Sequence, residues 1–327
     1  MLQYAAPHTL LTEIKPMIAE GVRGFKCFLI HSGIDEFPHC TESDLHLAYQ
    51  QLQGTDSVFL FHAEVEVDEE LADSSSLADN AYDKFMLSRP EKMEIEAVKM
   101  VIKLCLQYKV RSHIVHLSAA TALPLIREAQ KAGAPLTVET CHHYLTLNSE
   151  NVPDGATEYK CCPPIRTKQN QEELWAAVRD LSISMVVSDH SPCTAGLKCP
   201  DTGDFMKAWG GIAGLQLGLS LFWTSCKERG LSVSDLSDYM SANTAKHAGL
   251  QMRVGNTTPG LRGDLVIWNP EKQFTVTEDM IFHKNKLTPY LGMTLYGQVE
   301  KTIVGGEVVF DGQTGFTGAK PGQIFLN

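Results

Sequence analysis

The segment VFLFHAE, residues 58–64, is a short run of β-forming apolar residues that ends on a histidine and a glutamate. Three further apolar runs carry one polar side chain of the same kind: GFKCFLI (24–30), SHIVHLS (112–118) and SMVVSDHSP (184–192). The polar residues of the four runs are Lys26, His62, His116 and Asp189. Each stands at the end of its predicted strand. Helix-length stretches separate the runs, and strands that alternate with helices are typical of parallel βα units. The carboxyl ends of such strands share one mouth, so we expect these four side chains to meet there.

The alternation predicts an α/β fold, a metal-dependent (β/α)8 TIM barrel, over residues 1–250. Five barrel-type strands lie between residues 24 and 190, the fifth being LTVETCHHY. A closed barrel of this type needs eight. The pattern therefore predicts an incomplete barrel that lacks about three βα units before Gly21. Short β runs separated by Gly and Pro follow residue 250, and they predict part of a small β-rich appendage over 251–327.

The beginning of the chain shows apolar residues at helical spacing over 9–20, so we expect it to open inside a barrel helix without a leader. The net charge is −11 and no basic run stands out, which argues against nucleic acid and anionic membranes as partners. Nine cysteines without framework spacing favour free thiols in a reducing compartment. We expect a cytoplasmic protein, with a peroxisome or another organelle as the open alternative.

The four strand-end residues point to metal chemistry. His and Asp are ordinary ligands of Zn²⁺ and related divalent ions, whereas the ammonium of Lys is not. A lysine that carries a CO₂-derived carbamate is anionic and could bridge two metals. Two ions about 3.5–4 Å apart can share a hydroxide nucleophile. An aspartate at the rim can bind one of them and pass a proton to a leaving amine.

Here the residues carry a resemblance. The chain is similar to the cyclic-amide branch of the amidohydrolase superfamily, which includes dihydroorotases and hydantoinases, and it resembles the allantoinases most. The matching segments cover nearly the whole chain: GVRGFKCFLIHSGIDEFPH, LFHAE, SRPEKMEIEAV, ETCHHYLTL, KCCPPIR, VVSDHSPC, AWGGIAGLQ and KLTPYLGMTLYGQVEKTIVGGEVVF. Of these, FKCFLIHSGIDEFP and AWGGIAGLQ favour the allantoinases over the dihydroorotases and hydantoinases.

The resemblance implies hydrolysis of the small molecule allantoin to allantoate at a site with two divalent metals, Zn²⁺ being the expected ion, in a homo-oligomer. It implies a carbamylated Lys26, metal ligands at His62 and His116, and a metal-bound, proton-transferring Asp189. The same matches imply that the substrate ring lies against four residues, Cys162, Trp209, Gly210 and Gly211.

One part of the family pattern is missing from the sequence. Such enzymes carry a His-x-His strand that binds the more buried metal, and no His-x-His occurs here. We therefore expect a chain that corresponds to the C-terminal two-thirds of an allantoinase, with little or no turnover and fewer than two bound metals. The alternatives are a non-catalytic fragment or isoform, and a hydantoinase or dihydropyrimidinase.

Less specific explanations exist for several of these residues. A lone histidine in an apolar strand is most often a core residue, and Lys26 could extend its ammonium to solvent. Asp189 could cap a loop. Of His142 and His143, one could lie over the pocket and the other in the core, and the sequence favours neither assignment. Glu64 follows His62 closely enough to orient it.

Overall fold

The computed structural model describes residues 2–3, 13–68 and 73–324. These residues divide into two compact units between Ile212 and Ala213. The sequence predicts a domain boundary at residue 250. This boundary differs from the division at Ile212 and stays a prediction.

The first unit contains a six-stranded parallel sheet with the order β1-β2-β3-β4-β5-β6. Its strands are β1 (Leu2–Gln3), β2 (Gly24–Phe28), β3 (Val58–His62), β4 (Ser112–Ile114), β5 (Leu136–Cys141) and β6 (Met185–Val187). The five strands predicted between residues 24 and 190 are β2 to β6. Each neighbour in the sheet is also the neighbour in sequence, so every pair is joined by a crossover connection, as parallel pairing requires.

Helices of the first unit lie between the strands. They are α1 (Ile14–Ala19), α2 (Glu42–Leu52), α3 (Tyr82–Ser88), α4 (Glu91–Tyr108), α5 (Leu123–Lys131), α6 (His142–Thr146) and α7 (Lys168–Arg179). Short 3₁₀ turns occupy Ala120–Ala122, Ser149–Asn151, Thr157–Tyr159 and Ala195–Lys198.

Local sequence explains where several helices begin and end. The Thr41 hydroxyl accepts the Asp44 N–H while the Asp44 carboxylate accepts the Thr41 N–H, a reciprocal capping box that starts α2. Pro90 is the N-cap of α4, where its missing N–H is not needed. Gly133 follows α5 with φ +79°, the left-handed conformation that commonly ends helices.

The start of the chain differs from the expectation. Helix α1 begins at Ile14, and residues 9–12 of the predicted 9–20 helix lie outside the described residues. Strand β1 at Leu2–Gln3 pairs in parallel with β2, so the prediction that the chain opens inside a helix is wrong. Two residues are too short for the alternation of apolar and polar side chains that reveals a strand in a sequence.

The second unit combines helices with an antiparallel sheet. Helix α8 spans Gly218–Glu228, and α9 (Val233–Ser237), a π-helix (Asp238–Ala242) and α10 (Asn243–His247) follow in succession. Strands β7 (Leu265–Thr275), β8 (Thr294–Val304), β9 (Glu307–Asp311) and β10 (Gly315–Phe316) pair as β10-β9-β8-β7. Further 3₁₀ turns lie at Leu215–Leu217 and Glu278–Met280.

The segment GGIAGLQLGLSLFWTSCKERG, residues 210–230, predicts one large helix, but α8 begins only at Gly218. Glycines at 210, 211 and 214 fit closely against neighbouring atoms instead of continuing a helix. In the part of the chain that the structure describes, no helix combines the length and the apolar character needed to cross a bilayer.

Candidate active site

Two imidazoles from adjacent strands meet at the carboxyl end of the parallel sheet. His62 is the last residue of β3, and His116 lies two residues beyond β4. Nδ1 of His62 lies 3.1 Å from Nε2 of His116, and both side chains are buried. Burial lowers the pKa of His116 to about 3, and the nearby His62 contributes in the same direction. His116 is therefore a neutral imidazole at pH 7, the form that binds metals.

The other ring nitrogen of His62 is held by a carboxylate. Nε2 of His62 lies 2.7 Å from the Glu64 carboxylate, which also accepts a hydrogen bond of 2.6 Å from Arg89. Burial opposes ionisation of Glu64, yet His62 and Arg89 hold its pKa at about 2. A carboxylate on the outer nitrogen of an imidazole fixes the orientation of the ring.

Asp189 lies two residues beyond β6, on the same side of the sheet. Burial opposes its ionisation, but electrostatic interactions with His116 and Lys26 lower its pKa below the usual range. Lys26 lies in the middle of β2 rather than at its end, so that part of the prediction is wrong. Its flexible four-carbon side chain nevertheless places the ammonium 5.2 Å from the centre of the Phe28 ring. Phe28 is the last residue of the strand.

Backbone conformation separates two of the predicted site residues from ordinary core residues. His116 has φ +42° and Asp189 has φ +41°. The left-handed region costs a non-glycine residue about 1–3 kcal/mol, and such residues cluster at functional sites. Both occupy the position just after a buried strand, where the chain turns to present the side chain at the mouth. The backbone therefore favours a functional role for His116 and Asp189 over a core or capping role.

The histidine pair suits a divalent ion in both type and spacing. Two nitrogens bound tetrahedrally to one Zn²⁺ at 2.0–2.1 Å lie about 3.3 Å apart, close to the 3.1 Å between His62 Nδ1 and His116 Nε2. Nδ1 of His116, on the opposite side of its ring, is buried and has no hydrogen-bond partner. Within the described ranges, no group of three His, Cys, Asp or Glu residues could hold a metal by itself.

The loop after His116 is fixed by a buried carboxylate from helix α4. Glu94 accepts hydrogen bonds from the N–H groups of Ser118 at 2.9 Å and Ala119 at 3.0 Å. Its other oxygen accepts a bond of 2.7 Å from Arg166. Burial raises the pKa of Glu94, and the Arg166 charge opposes that rise. The SRPEKMEIEAV and KCCPPIR segments therefore meet behind the histidine pair.

The residues implied for the substrate ring come together as two facing segments. A Cβ on Gly210 would lie 2.9 Å from Cys162 Sγ, and one on Gly211 would lie 2.4 Å from Ser191 Oγ. Cys162 also lines a cavity of about 500 Å³ together with Arg89. The half-buried Trp209 precedes this glycine pair. Together Cys162 and Trp209–Gly211 form what we call the ring cradle.

His142 and His143 begin helix α6 directly after β5, and both are buried. Burial lowers the pKa of His142 to about 3 and that of His143 to about 4. The charge of Asp189 acts on His143 in the opposite direction. His143 therefore lies within electrostatic reach of the site.

With this geometry in place, comparison with known proteins identifies the family. The model of the amidohydrolase family matches residues 5–309. The chain belongs to the amidohydrolase family.

Several relatives are named allantoinases. The chain is 58% identical over 241 residues to the mitochondrial allantoinase of Aquarana catesbeiana, covering 73% of this chain and 49% of that protein. It is 41% identical to the allantoinase of Saccharomyces cerevisiae over 325 residues, 98% of this chain and 69% of that one. The chain thus spans about half the length of the frog protein and somewhat more than two-thirds of the yeast protein.

Solved structures of the family have the same fold. A D-hydantoinase from Bacillus sp. AR9 matches with a TM-score of 0.85 at 27% identity, over 98% of this chain and 71% of that one. A dihydropyrimidinase from Brevibacillus agri matches with a TM-score of 0.85 at 25% identity, over 97% of this chain and 70% of that one.

Sequence reasoning missed the supporting side chains Arg89, Glu94 and Arg166, and the buried lysines Lys160 and Lys198. The signal was partly present, because four of these five charged residues lie in the segments SRPEKMEIEAV and KCCPPIR. A single sequence cannot show that a charged residue of an amphipathic helix, such as Glu94, is turned inward.

We expect Glu94→Gln to loosen the loop that carries His116, because a neutral amide leaves the buried Arg166 unpaired. Breaking a buried ion pair costs about 3–5 kcal/mol. Chemical denaturation would measure the loss. Glu96→Gln is the matched control on the same helix, since Glu96 is paired with Lys99 at the surface. Equal stability of the two variants would contradict the assigned role of Glu94.

The ring cradle should not tolerate a methyl group at its second glycine. In Gly211→Ala the new Cβ would meet Ser191 Oγ at 2.4 Å and the Ser191 carbonyl oxygen at 2.7 Å, so the segments must move apart. Gly196→Ala provides the control, because nothing lies within 4 Å of the added atom. Thermal unfolding should show a clear loss for Gly211→Ala alone. A wild-type melting temperature for that variant would show that the contact relaxes freely.

Stability of the metal-free protein should fall as the pH drops from about 6.5 towards 4. The unfolded chain takes up protons on histidine near pH 6.5, while folded His142 and His143 resist protonation until about pH 3 and 4. Each of the two histidines lowers the free energy of unfolding by up to about 1.4 kcal/mol per pH unit in this range. Denaturation curves across this range should have a smaller slope in His143→Gln than in wild type or in the exposed control His39→Gln. Identical slopes in all three would contradict the burial argument.

Proposed function

We propose that this chain carries the catalytic face of an allantoinase, an enzyme that hydrolyses the cyclic amide of allantoin to allantoate. The observation that supports this most is the buried pair of His62 and His116 at the carboxyl ends of neighbouring strands, with Asp189 on the same side. Allantoin is proposed as the substrate because relatives of this chain are named allantoinases. In this proposal the parallel sheet is part of a (β/α)8 barrel.

The proposed cofactor is a divalent metal, with Zn²⁺ as the first choice. His62, His116 and Asp189 would hold it together with Lys26 in its carbamylated form. The carbamate forms when the unprotonated Lys26 amine adds to CO₂ and releases a proton. Bound divalent ions would supply Lewis acidity and make water a stronger nucleophile.

Each protein group has a defined part in the proposed reaction. Cys162 and the Trp209–Gly211 segment hold the ring so that its amide faces Asp189. Asp189 accepts a proton from the attacking water and passes it to the ring nitrogen as the C–N bond breaks. Glu64 keeps the His62 ring in one orientation by holding its outer nitrogen. Ring opening thus yields one carboxylate and one neutral amide nitrogen.

The assembly and location are also proposals. We propose a homo-oligomer in the cytoplasm, supported by the family resemblance and by the composition of the chain. The name of the frog relative includes mitochondria, which makes an organelle the alternative location.

Asp189→Asn should lower kcat for allantoin by about 10²–10⁴-fold, the usual worth of a positioned acid–base group. Asp180→Asn is the control, since Asp180 is a surface residue paired with Arg127. A colorimetric assay of allantoate formation would measure both. Wild-type turnover by Asp189→Asn would remove Asp189 from the proposed mechanism.

Allantoin hydrolysis itself should be assayed with added Zn²⁺ in two proteins. One is this exact chain, and the other is the same chain extended upstream with a strand that supplies His-x-His. Because this chain contains no His-x-His, we expect allantoin turnover by the extended protein and little or none by this exact chain. Turnover by both would show that His62, His116, Lys26 and Asp189 suffice. Hydrolysis of hydantoin or dihydrouracil without hydrolysis of allantoin would instead support a hydantoinase, the activity named for the solved structures.

A further inference from the structure

Two lysines, Lys160 and Lys198, are almost fully buried in the first unit, with relative exposures of 6% and 4%. Lysine is rarely buried without a partner, because removing an ammonium from water is costly. Among the ion pairs of the described residues, neither lysine has a carboxylate partner within 4 Å. Their charges must instead be satisfied by other groups.

The partners of both ammonium groups are backbone carbonyls of the segments that form the ring cradle. Lys160 Nζ donates to the carbonyl oxygens of Ala208 at 2.6 Å and Met206 at 3.2 Å. Lys198 Nζ donates to the carbonyl oxygens of Gly211 at 2.6 Å and Lys160 at 3.0 Å. Four charge-assisted bonds therefore converge on two short stretches of chain.

These bonds link the two sides of the cradle. The Lys160 carbonyl also accepts the N–H of Gly211 at 2.8 Å, and the N–H of Trp209 donates to the Leu197 carbonyl at 2.7 Å. Residues 206–211 are thus tied on one side to Lys160, two residues before Cys162. On the other side they are tied to residues 197–198. The tight approach of Gly210 to Cys162 Sγ is the steric counterpart of the same arrangement.

We propose that Lys160 and Lys198 are positioning residues that hold Cys162 against Trp209–Gly211 and so set the shape of the cradle that receives the substrate ring. This inference rests on the proposed function for the nature of the ring. The lysines touch only the backbone behind the cradle and act through it.

Because burial disfavours the charged form of Lys198, the arrangement should depend on pH. Burial lowers the pKa of Lys198 to about 8. Negative charge on its neighbouring thiols, those of Cys193, Cys161 and Cys162, would act in the opposite direction. Burial raises the pKa of each of those thiols, so they stay neutral and do not neutralise the ammonium. The remaining charged neighbour, Lys160, has the same sign. Above about pH 8 Lys198 loses its two charge-assisted bonds to the cradle backbone, which weakens the clamp that Lys198 and Lys160 form together.

The first test is kinetic and compares Lys198→Met with Lys207→Met, in whichever form of the protein hydrolyses allantoin. Lys207 belongs to the same segment but is an exposed residue paired with Asp204, so it is the matched control. Loss of the charged donor should raise KM for allantoin about tenfold or more with metal content unchanged. In wild type KM should also climb above about pH 8, and this climb should vanish in Lys198→Met.

The second test does not depend on activity. Hydrogen exchange measured by mass spectrometry on a peptide spanning 204–212 should show at least tenfold faster exchange at Trp209 and Gly211 in Lys198→Met than in Lys207→Met. Faster exchange together with higher KM supports the proposal. Faster exchange with unchanged KM and pH profile would overturn the positioning role and leave only a structural one.

Unchanged exchange in Lys198→Met would overturn the clamp itself. The absence of allantoin turnover in every wild-type form would overturn the proposed function, and with it the role in holding the substrate. In that case the exchange data would still decide whether the lysines hold the two segments together. The two failures are therefore distinguishable.

Discussion

The convergence of two buried imidazoles is the interaction on which the rest of the site depends. His62 and His116 face each other at 3.1 Å because β3 and β4 are adjacent parallel strands that end at the same side of the sheet. Two imidazoles gain little from one another, so a buried contact of this kind needs support from its surroundings. The left-handed backbone at His116 adds a further cost. Such an arrangement is expected where the two nitrogens share a cation.

Two buried carboxylates provide that support from behind. Glu64 holds the outer nitrogen of His62 and is itself held by Arg89. Glu94 fixes the loop after His116 through two backbone N–H groups. Two lysines then fix the ring cradle through backbone carbonyls. The chain thus uses charged groups in its interior to hold backbone and imidazoles in place, while Asp189 and Lys26 bring charge to the mouth itself.

The order of the strands and the positions of three site residues could be predicted from sequence because they depend on local patterns. Apolar runs of VFLFH type make strands, and a polar residue just after such a run lies at the mouth of a parallel sheet. Lys26 was misplaced within its strand, since side-chain length rather than backbone position brings its ammonium forward. Strand β1 was missed because two residues carry no periodicity. The clamp of Lys160 and Lys198 depends on contacts between residues 13 to 48 positions apart in the sequence, which no local pattern reveals.

The most direct test of the account is a crystal of this chain grown with Zn²⁺ and measured at the zinc absorption edge. The account predicts an anomalous peak at about 2.0–2.1 Å from both His62 Nδ1 and His116 Nε2, with the Asp189 and Lys26 side chains turned towards it. If the imidazoles stay hydrogen-bonded to each other and no peak lies between them, the pair is a structural contact and the metal site proposed here does not exist.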